Sequence, residues 1–386
     1  MQKTEPQEDY QYDTTKRSIA EKYENVKLKL DLVNGTLVPI AICVILFLSG
    51  DSVVLSTLLK SVTDSYWVSL WLYLVVFVII LQLVALPLSF YSGFIVDHKF
   101  SLSTQTLQGW IVDELKGLGV ELVFVILAGS VLYYLMGSLS LWWIAAAAIF
   151  AIFSIILSII LPFVILPIFY KVSPLSDIDL REDLLRMSNK FGARNVDRVL
   201  VADESRRSIR ANAFFSGVGK SRSIVLFDTL LSNFTHREIT TVVAHELGHY
   251  VNKDIWTEAL VSGVLIIPPF YVADYVLRSA VAAFSLPNVT DPAGIPLIFA
   301  VLIGISFILQ PISNWLSRIV ETKADEFALK AADDSEAQAS AERRLADLSL
   351  SVDSPSRLVE LIFYTHPPSS KRVQLAENWK KMNRSC

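Results

Sequence analysis

Three stretches of the chain carry no Asp, Glu, Lys or Arg: residues 65–96, 122–170 and 292–317. A charge-free apolar run of roughly 18 residues or more predicts a membrane-spanning helix, since about 20 residues at 1.5 Å rise cross the hydrocarbon core. The run 122–170 is long enough for two such helices with a tight turn near Gly137-Ser138. Two shorter runs, Thr36–Gly50 and Ala259–Ala273, are interrupted by Pro, and a re-entrant or buried segment is the competing reading there. Counting both gives six spans.

The polar segments between them carry other periods. Arg181–Phe191 has the spacing of a helix, while Arg198–Ala202 and Ser223–Phe227 are short β-branched runs that predict strands. His236–Asn252 predicts a helix entered at Thr235, with Glu238 three residues on in capping-box spacing. The pattern divides the chain into a polar, amphipathic lead-in (1–34), spans one to four (35–170), a polar segment with short strands and a helix (171–254), the remaining spans (255–317), and a helical polar segment (318–386). A surface stretch is expected around Asp333–Ser340.

Composition agrees with a membrane protein: 53% of the 386 residues are hydrophobic, with a mean hydropathy of +0.47. Lys and Arg fall on pieces that six spans put on one side, Lys60 and Arg278 excepted, which predicts cytosolic polar segments and termini. A net charge of −4 without a basic stripe points away from nucleic acid. Cys43 and Cys386 stand in no metal-binding or disulfide pattern. The charged first 34 residues do not read as a cleavable signal, and Arg384-Ser385-Cys386 is not a prenylation box.

Chemistry concentrates in His245-Glu246-Leu247-Gly248-His249. Positions i and i+4 share a helix face, so both imidazoles can reach one Zn²⁺, while Glu246 is placed to take a proton from the attacking water. Two of the chain's five histidines sit in this pentapeptide, which argues against a chance match. A catalytic zinc site needs a third protein ligand and an open position. Glu321 fits, with Asp325 one turn on and able to accept a hydrogen bond from the outer nitrogen of a bound histidine. An exposed charged helix face is the alternative, since Lys323, Glu326 and Lys330 lie beside them. His366, before Pro367-Pro368 and followed by Arg372, could donate to an oxyanion. Asn212 opens Asn212–Gly217, an extended stretch able to pair with a substrate backbone. His98 and His236 read as structural or solvent-exposed.

These residues, with Tyr91–Leu107 (YSGFIVDHKFSLSTQTL), Ile165–Leu175 (ILPIFYKVSPL), Ile224–Leu231 (IVLFDTLL), the SRxxExxADxFA of Ser317–Ala328 and the HPPxxxR of His366–Arg372, resemble the CAAX prenyl protease 1 family. Its members are type I membrane zinc endopeptidases of the gluzincin group. The resemblance implies seven helices around an internal water-filled chamber where the runs give six, so the expected fold is a mainly α-helical polytopic membrane protein with six to seven transmembrane helices around that chamber and a zinc-metalloprotease domain containing a small β element. It implies His245, His249 and Glu321 as ligands of one Zn²⁺ per chain, Glu246 as general base and acid, His366 as a transition-state contact, and Asn212 and Arg372 as substrate contacts. Asp325 is expected behind a ligand. A seventh span would lie in the 36–60 or 255–290 region.

The expected partners are a peptide or protein substrate, in the family's eukaryotic members an isoprenylated CAAX chain that loses its last three residues, together with membrane lipid. Two other readings compete: a quality-control protease resembling the bacterial heat-shock membrane proteases, which share the HExxH helix and HPP turn, and an inactive scaffold. Intact Glu246 speaks against the scaffold.

Overall fold

The structure, a computed structural model, describes residues 6–216, 222–284 and 286–383. Met1–Glu5, Gly217 and Cys386 of the expectations above lie outside them. Helix α1 (Thr14–Leu32) runs through a π-helical turn, Val33–Leu37, into α2 (Val38–Leu48), making one continuous helix of 35 residues. The lead-in expected to end at residue 34 therefore continues into the first span. Pro39 lacks an N–H and would crowd the carbonyl of Gly35, and the π turn makes room for it without breaking the helix. After Gly50, whose φ of 83° only glycine adopts readily, come α3 (Asp51–Val62), α4 (Tyr66–Phe90) and, past a second π turn, α5 (Asp97–Lys99).

Helices α6 (Leu107–Ser138) and α7 (Trp142–Phe169) divide the longest charge-free run beside the expected Gly137-Ser138 turn. Among the described residues, five helices are long and apolar enough to cross a membrane, and the 28-residue α7 is a sixth apolar one. The count stands at the lower end of the expected six to seven. Residues 254–283 form one apolar unit, α11 (Asp254–Leu265) followed by α12 (Ile267–Ala283), with Pro268-Pro269 in the first turn of α12. Leu70, Tyr73, Phe77, Trp142 and Phe270 pack the interior of this bundle. Ile45, Leu83 and Ile308 are more than 60% exposed on its outer faces, as side chains facing lipid would be.

The polar segments build a second core. Strands β1 (Val172–Pro174), β2 (Val196–Ala202), β3 (Ala213–Ser216) and β4 (Arg222–Phe227) form one sheet in the order β1-β2-β4-β3. The β2–β4 pair is parallel and the other two are antiparallel, which leaves β3 at an edge. Helices α8 (Ile178–Lys190), α9 (Asp228–Asn233) and α10 (His236–Asn252) cover it, with Leu184, Val199, Ile224, Leu226, Ile239 and Leu247 buried between them. The Thr235–Glu238 capping box opens α10 where the sequence predicts it.

Helix α13 (Ile295–Ala332), 38 residues long, links the two cores: its first half packs in the bundle, and its second half crosses α10. Helices α14 (Ser335–Ser349), α15 (Arg357–Phe363) and α16 (Ser369–Asn383) close the polar side. The stretch expected at the surface, Asp333–Ser340, is instead half core: Ala337, Gln338, Ala339 and Ser340 are buried. The small side chains of Ala337, Ala339 and Ser340 let α14 pack closely, and the Ser340 hydroxyl donates to Glu238 across 2.6 Å.

Candidate metal centre

The site is made by the crossing of α10 and α13, and Gly248 sets how close they come. A Cβ at Gly248 would lie 3.1 Å from Ala324 Cα and 3.2 Å from both Ala324 O and Phe327 Cβ. Glycine therefore permits backbone contact one residue from His249 and three from Glu321's end of the crossing. At this approach His245 Nε2 lies 3.1 Å from His249 Nε2 and 3.2 Å from Glu321 Oε2, and His249 Nε2 lies 3.5 Å from Glu321 Oε1. One ligand atom from each of the three falls within 4.8 Å of the others.

The outer ring nitrogens are both engaged. His245 Nδ1–H donates to Asp325 Oδ1 at 2.8 Å, and His249 Nδ1–H donates to Asp254 Oδ2 at 2.9 Å. A carboxylate only accepts, so each imidazole carries its proton on Nδ1 and turns a lone pair on Nε2 inward. Two lone pairs and a carboxylate thus converge on one point, and Glu321 Oε2 is buried without a hydrogen bond. Burial works against a charged His245, yet Asp325 and Glu321 outweigh it and raise its pKa, so the pocket favours positive charge at this ring, supplied by a second proton or by a metal ion on Nε2. Lone pairs that converge beside an excess of carboxylate fit a bound cation, and a metal ion satisfies all three groups at once.

Glu246 projects beside this point and lines a common cavity with Asn212, His245, His366 and Arg372. Burial raises its carboxyl above the ordinary carboxylate range. His366 arrives from the other side, Nε2 3.3 Å from Glu321 Oε1, with Nδ1 2.9 Å from Thr365 Oγ1. Its turn is held by Arg318, which donates to the carbonyls of Glu360 (2.9 Å) and Tyr364 (2.5 Å). Asn212 stands at the start of β3, its Oδ1 accepting from Ala213 N–H at 2.8 Å.

Arg372 is drawn into the interior. Its Nε and Nη2 donate to Asp325 at 2.8 and 2.5 Å, and Nη1 meets Glu342 at 2.8 Å. The guanidinium is committed to protein carboxylates behind His245. His98 bonds two backbone carbonyls, and the exposed His236 pairs with Asp177, both apart from the site.

Two residues escape sequence reasoning. Asp254 holds His249 because α10 ends at Lys253 in the left-handed region (φ 59°), so α11 starts at once and turns its first carboxylate back. An acid five residues after the second histidine was the available signal. Glu342 has no such mark, since its role depends on how α14 folds against α16.

With this geometry in view, the relatives are informative. Residues 174–380 match the model of peptidase family M48, and residues 2–171 match that of the CAAX prenyl protease N-terminal, five membrane helices. The chain is 28% identical over 365 residues to the uncharacterized metalloprotease YhfN of Bacillus subtilis, spanning 93% of this chain and 85% of that one. It is 30% identical over 318 residues to CAAX prenyl protease 1 of Saccharomyces cerevisiae, spanning 75% and 68%. The crystal structure of S. mikatae Ste24p superposes with a TM-score of 0.79 at 26% identity, covering 94% of this chain and 89% of that one. The chain belongs to peptidase family M48, and it is a multi-pass integral membrane metalloendopeptidase.

Proposed function

We propose that the chain is a zinc endopeptidase of the CAAX prenyl protease type, with His245, His249 and Glu321 as the ligands of one Zn²⁺. The observation that carries this is the convergence of two Nε2 lone pairs and the Glu321 carboxylate, with both Nδ1 protons fixed by Asp325 and Asp254. Donors about 2.0–2.1 Å from a tetrahedral ion stand about 3.3 Å apart, and the three pairs here stand 3.1, 3.2 and 3.5 Å apart.

Bound there, Zn²⁺ supplies a Lewis acid that acidifies water and polarises a carbonyl. Glu246 takes the proton of the attacking water and returns it to the leaving amine; its raised pKa suits both halves of that exchange. His366 Nε2–H donates to the oxyanion as it forms. The free edge of β3 aligns the peptide as an added strand, with Asn212 at the reacting end. Asp325 and Asp254 hold the imidazoles in register, and Arg372, pinned by Glu342, steadies Asp325 instead of meeting substrate.

An isoprenyl substrate is supported by the relatives' activity and by a cavity of about 820 Å³ beside Glu246 and His249, walled by Phe191, Phe214, Phe215, Tyr250 and Trp256. The basic residues of the polar segments support a cytosolic position for the site. The test is a substrate panel for the detergent-purified protein: a farnesylated CAAX peptide, the same peptide without the lipid, and an unfolded membrane protein. Release of the C-terminal tripeptide from the lipidated peptide alone is the expected result. Cleavage confined to the unfolded protein would replace this reading with quality control.

A further inference from the structure

The two ends of the edge strand open into different cavities, one with an aromatic wall beside the site and one lined mostly by polar groups. At the Ser216 end lies the aromatic-walled space described above. At the Asn212 end lies a polar cavity of about 390 Å³ bordered by Arg210, Arg207, Ser208, Asp97 and Glu204. Asn212 C=O accepts from Phe227 N–H (3.0 Å), and Arg210 C=O accepts from the Thr229 hydroxyl (2.7 Å). The Asn212 carbonyl turns toward β4 and that of Arg210 toward α9, and continuing the alternation of β3 then leaves the backbone of Ala211, Ala213 and Phe215 along the free edge. A peptide docked there in the commoner antiparallel sense runs from Ser216 toward Arg210. Its apolar, lipid-bearing part then faces the aromatic cavity and its C-terminus the polar one. Beyond a scissile bond at His245 and Glu246, which share a cavity with Ala211 and Asn212, three extended residues reach about 10 Å in the direction of Arg210.

The charged groups at that end are not equivalent. Arg207 is largely buried, held by a bidentate pair with Asp113 at 2.8 and 2.9 Å and stacked on Phe169 and Tyr170, with its Nη1 enclosed without a hydrogen bond. Glu204 takes the Ser208 hydroxyl. The Arg210 side chain is 40% exposed, donates to Tyr23 Oη at 2.6 Å and approaches Asp97 only to 3.5 Å. Asp97 meanwhile accepts from Tyr23 at 2.9 Å and faces Lys27 at 3.5 Å, so one carboxylate is shared between two cations. Asp31 stands near the same group. A guanidinium has five N–H donors, and among the described residues the Arg210 side chain makes only these two polar contacts.

We propose that this cavity binds the free α-carboxylate of the substrate's last residue, with Arg210 as the donor that recognises it. The proposal rests on the CAAX-type reading and deepens it: for the CAAX cut, the enzyme would set the scissile bond three residues from the chain end. An Arg fork matches a carboxylate with two parallel hydrogen bonds, which a neutral amide does not match.

The test compares matched farnesylated CAAX peptides ending in a free carboxylate or in a carboxamide, using the full-length purified protein. The wild type is expected to favour the acid at least about tenfold in kcat/KM, the scale of a hydrogen bond to a charged group. Arg210→Gln should bring the acid-to-amide ratio toward one, chiefly through KM, and Arg210→Lys should leave an intermediate ratio. Equal use of acid and amide by the wild type overturns the proposal without recourse to any variant, and leaves the CAAX-type reading in place. An undiminished preference in a folded Arg210→Gln does the same. If neither peptide is cut, both readings fall together.

Discussion

His245 and His249 each present one ring nitrogen to a shared point and commit the other to an acid, a division of labour that suits the cluster to a metal ion. The two supporting acids come from different places: Asp325 from the same helix as Glu321, and Asp254 from the helix that follows α10. Replacing either should weaken the metal without removing a ligand. Asp254→Asn is expected to lower metal affinity about 10- to 100-fold while the fold persists, as titration against a chelator would measure. Unchanged affinity would mean that the 2.9 Å contact does not hold His249 in place. The Asp254 contribution was legible in the sequence only in hindsight, since its spacing from His249 means nothing until the left-handed turn at Lys253 is known.

The crossing of α10 and α13 is governed by a missing side chain. Gly248→Ala puts a methyl against the Ala324 backbone at 3.1–3.2 Å, where there is no flexible end to yield. The helices must separate, and the ligand atoms with them. The variant should lose metal and activity while keeping its helical circular dichroism; full metal content would show that the crossing has slack. At the start of α14, Asp334 accepts from Ala337 N–H at 3.0 Å and pairs with Arg237 at 2.8 Å. Burial alone would raise its carboxyl, but these hydrogen bonds outweigh burial and hold it below the ordinary range. A folded pKa below the unfolded value of about 3.9 gives stability that is present above that pH and lost as the pH falls through the folded pKa. Asp334→Ala should therefore cost about 1 kcal/mol at neutral pH, and the gap from wild type should shrink in acid. A gap constant down to acid pH would assign the effect to something other than this carboxylate.

Element placement was largely legible because periodicity reports it directly. The capping box fixed the start of α10, and β-branched runs marked β2 and β4. What failed in part were readings of exposure: Asp333–Ser340 looks like surface because it is small and polar, and its first half is, whereas α14 buries the second half, Ala337–Ser340. Glu342 and the commitment of Arg372 to it were hidden for the same reason, being products of tertiary packing with no local signal.

Over the whole molecule, one 38-residue helix does two jobs. Its apolar half belongs to the bundle, and its polar half delivers Glu321 and Asp325 to α10, so the candidate metal site is fastened directly to the membrane core. A soluble protease domain tethered by a linker would lack that coupling. Under the proposed docking, a peptide on β3 would meet an aromatic wall at one end and a polar cavity at the other, an asymmetry that would suit a lipid-bearing chain end.

The central claim is that His245, His249 and Glu321 hold the metal while Glu246 moves the proton. It is tested most directly by quantifying bound zinc and peptide cleavage together in wild type and Glu246→Gln. The account predicts equal zinc in both proteins and activity lower in the variant by about a hundred- to ten-thousand-fold. Retained turnover, or loss of the metal with the glutamate, would contradict it.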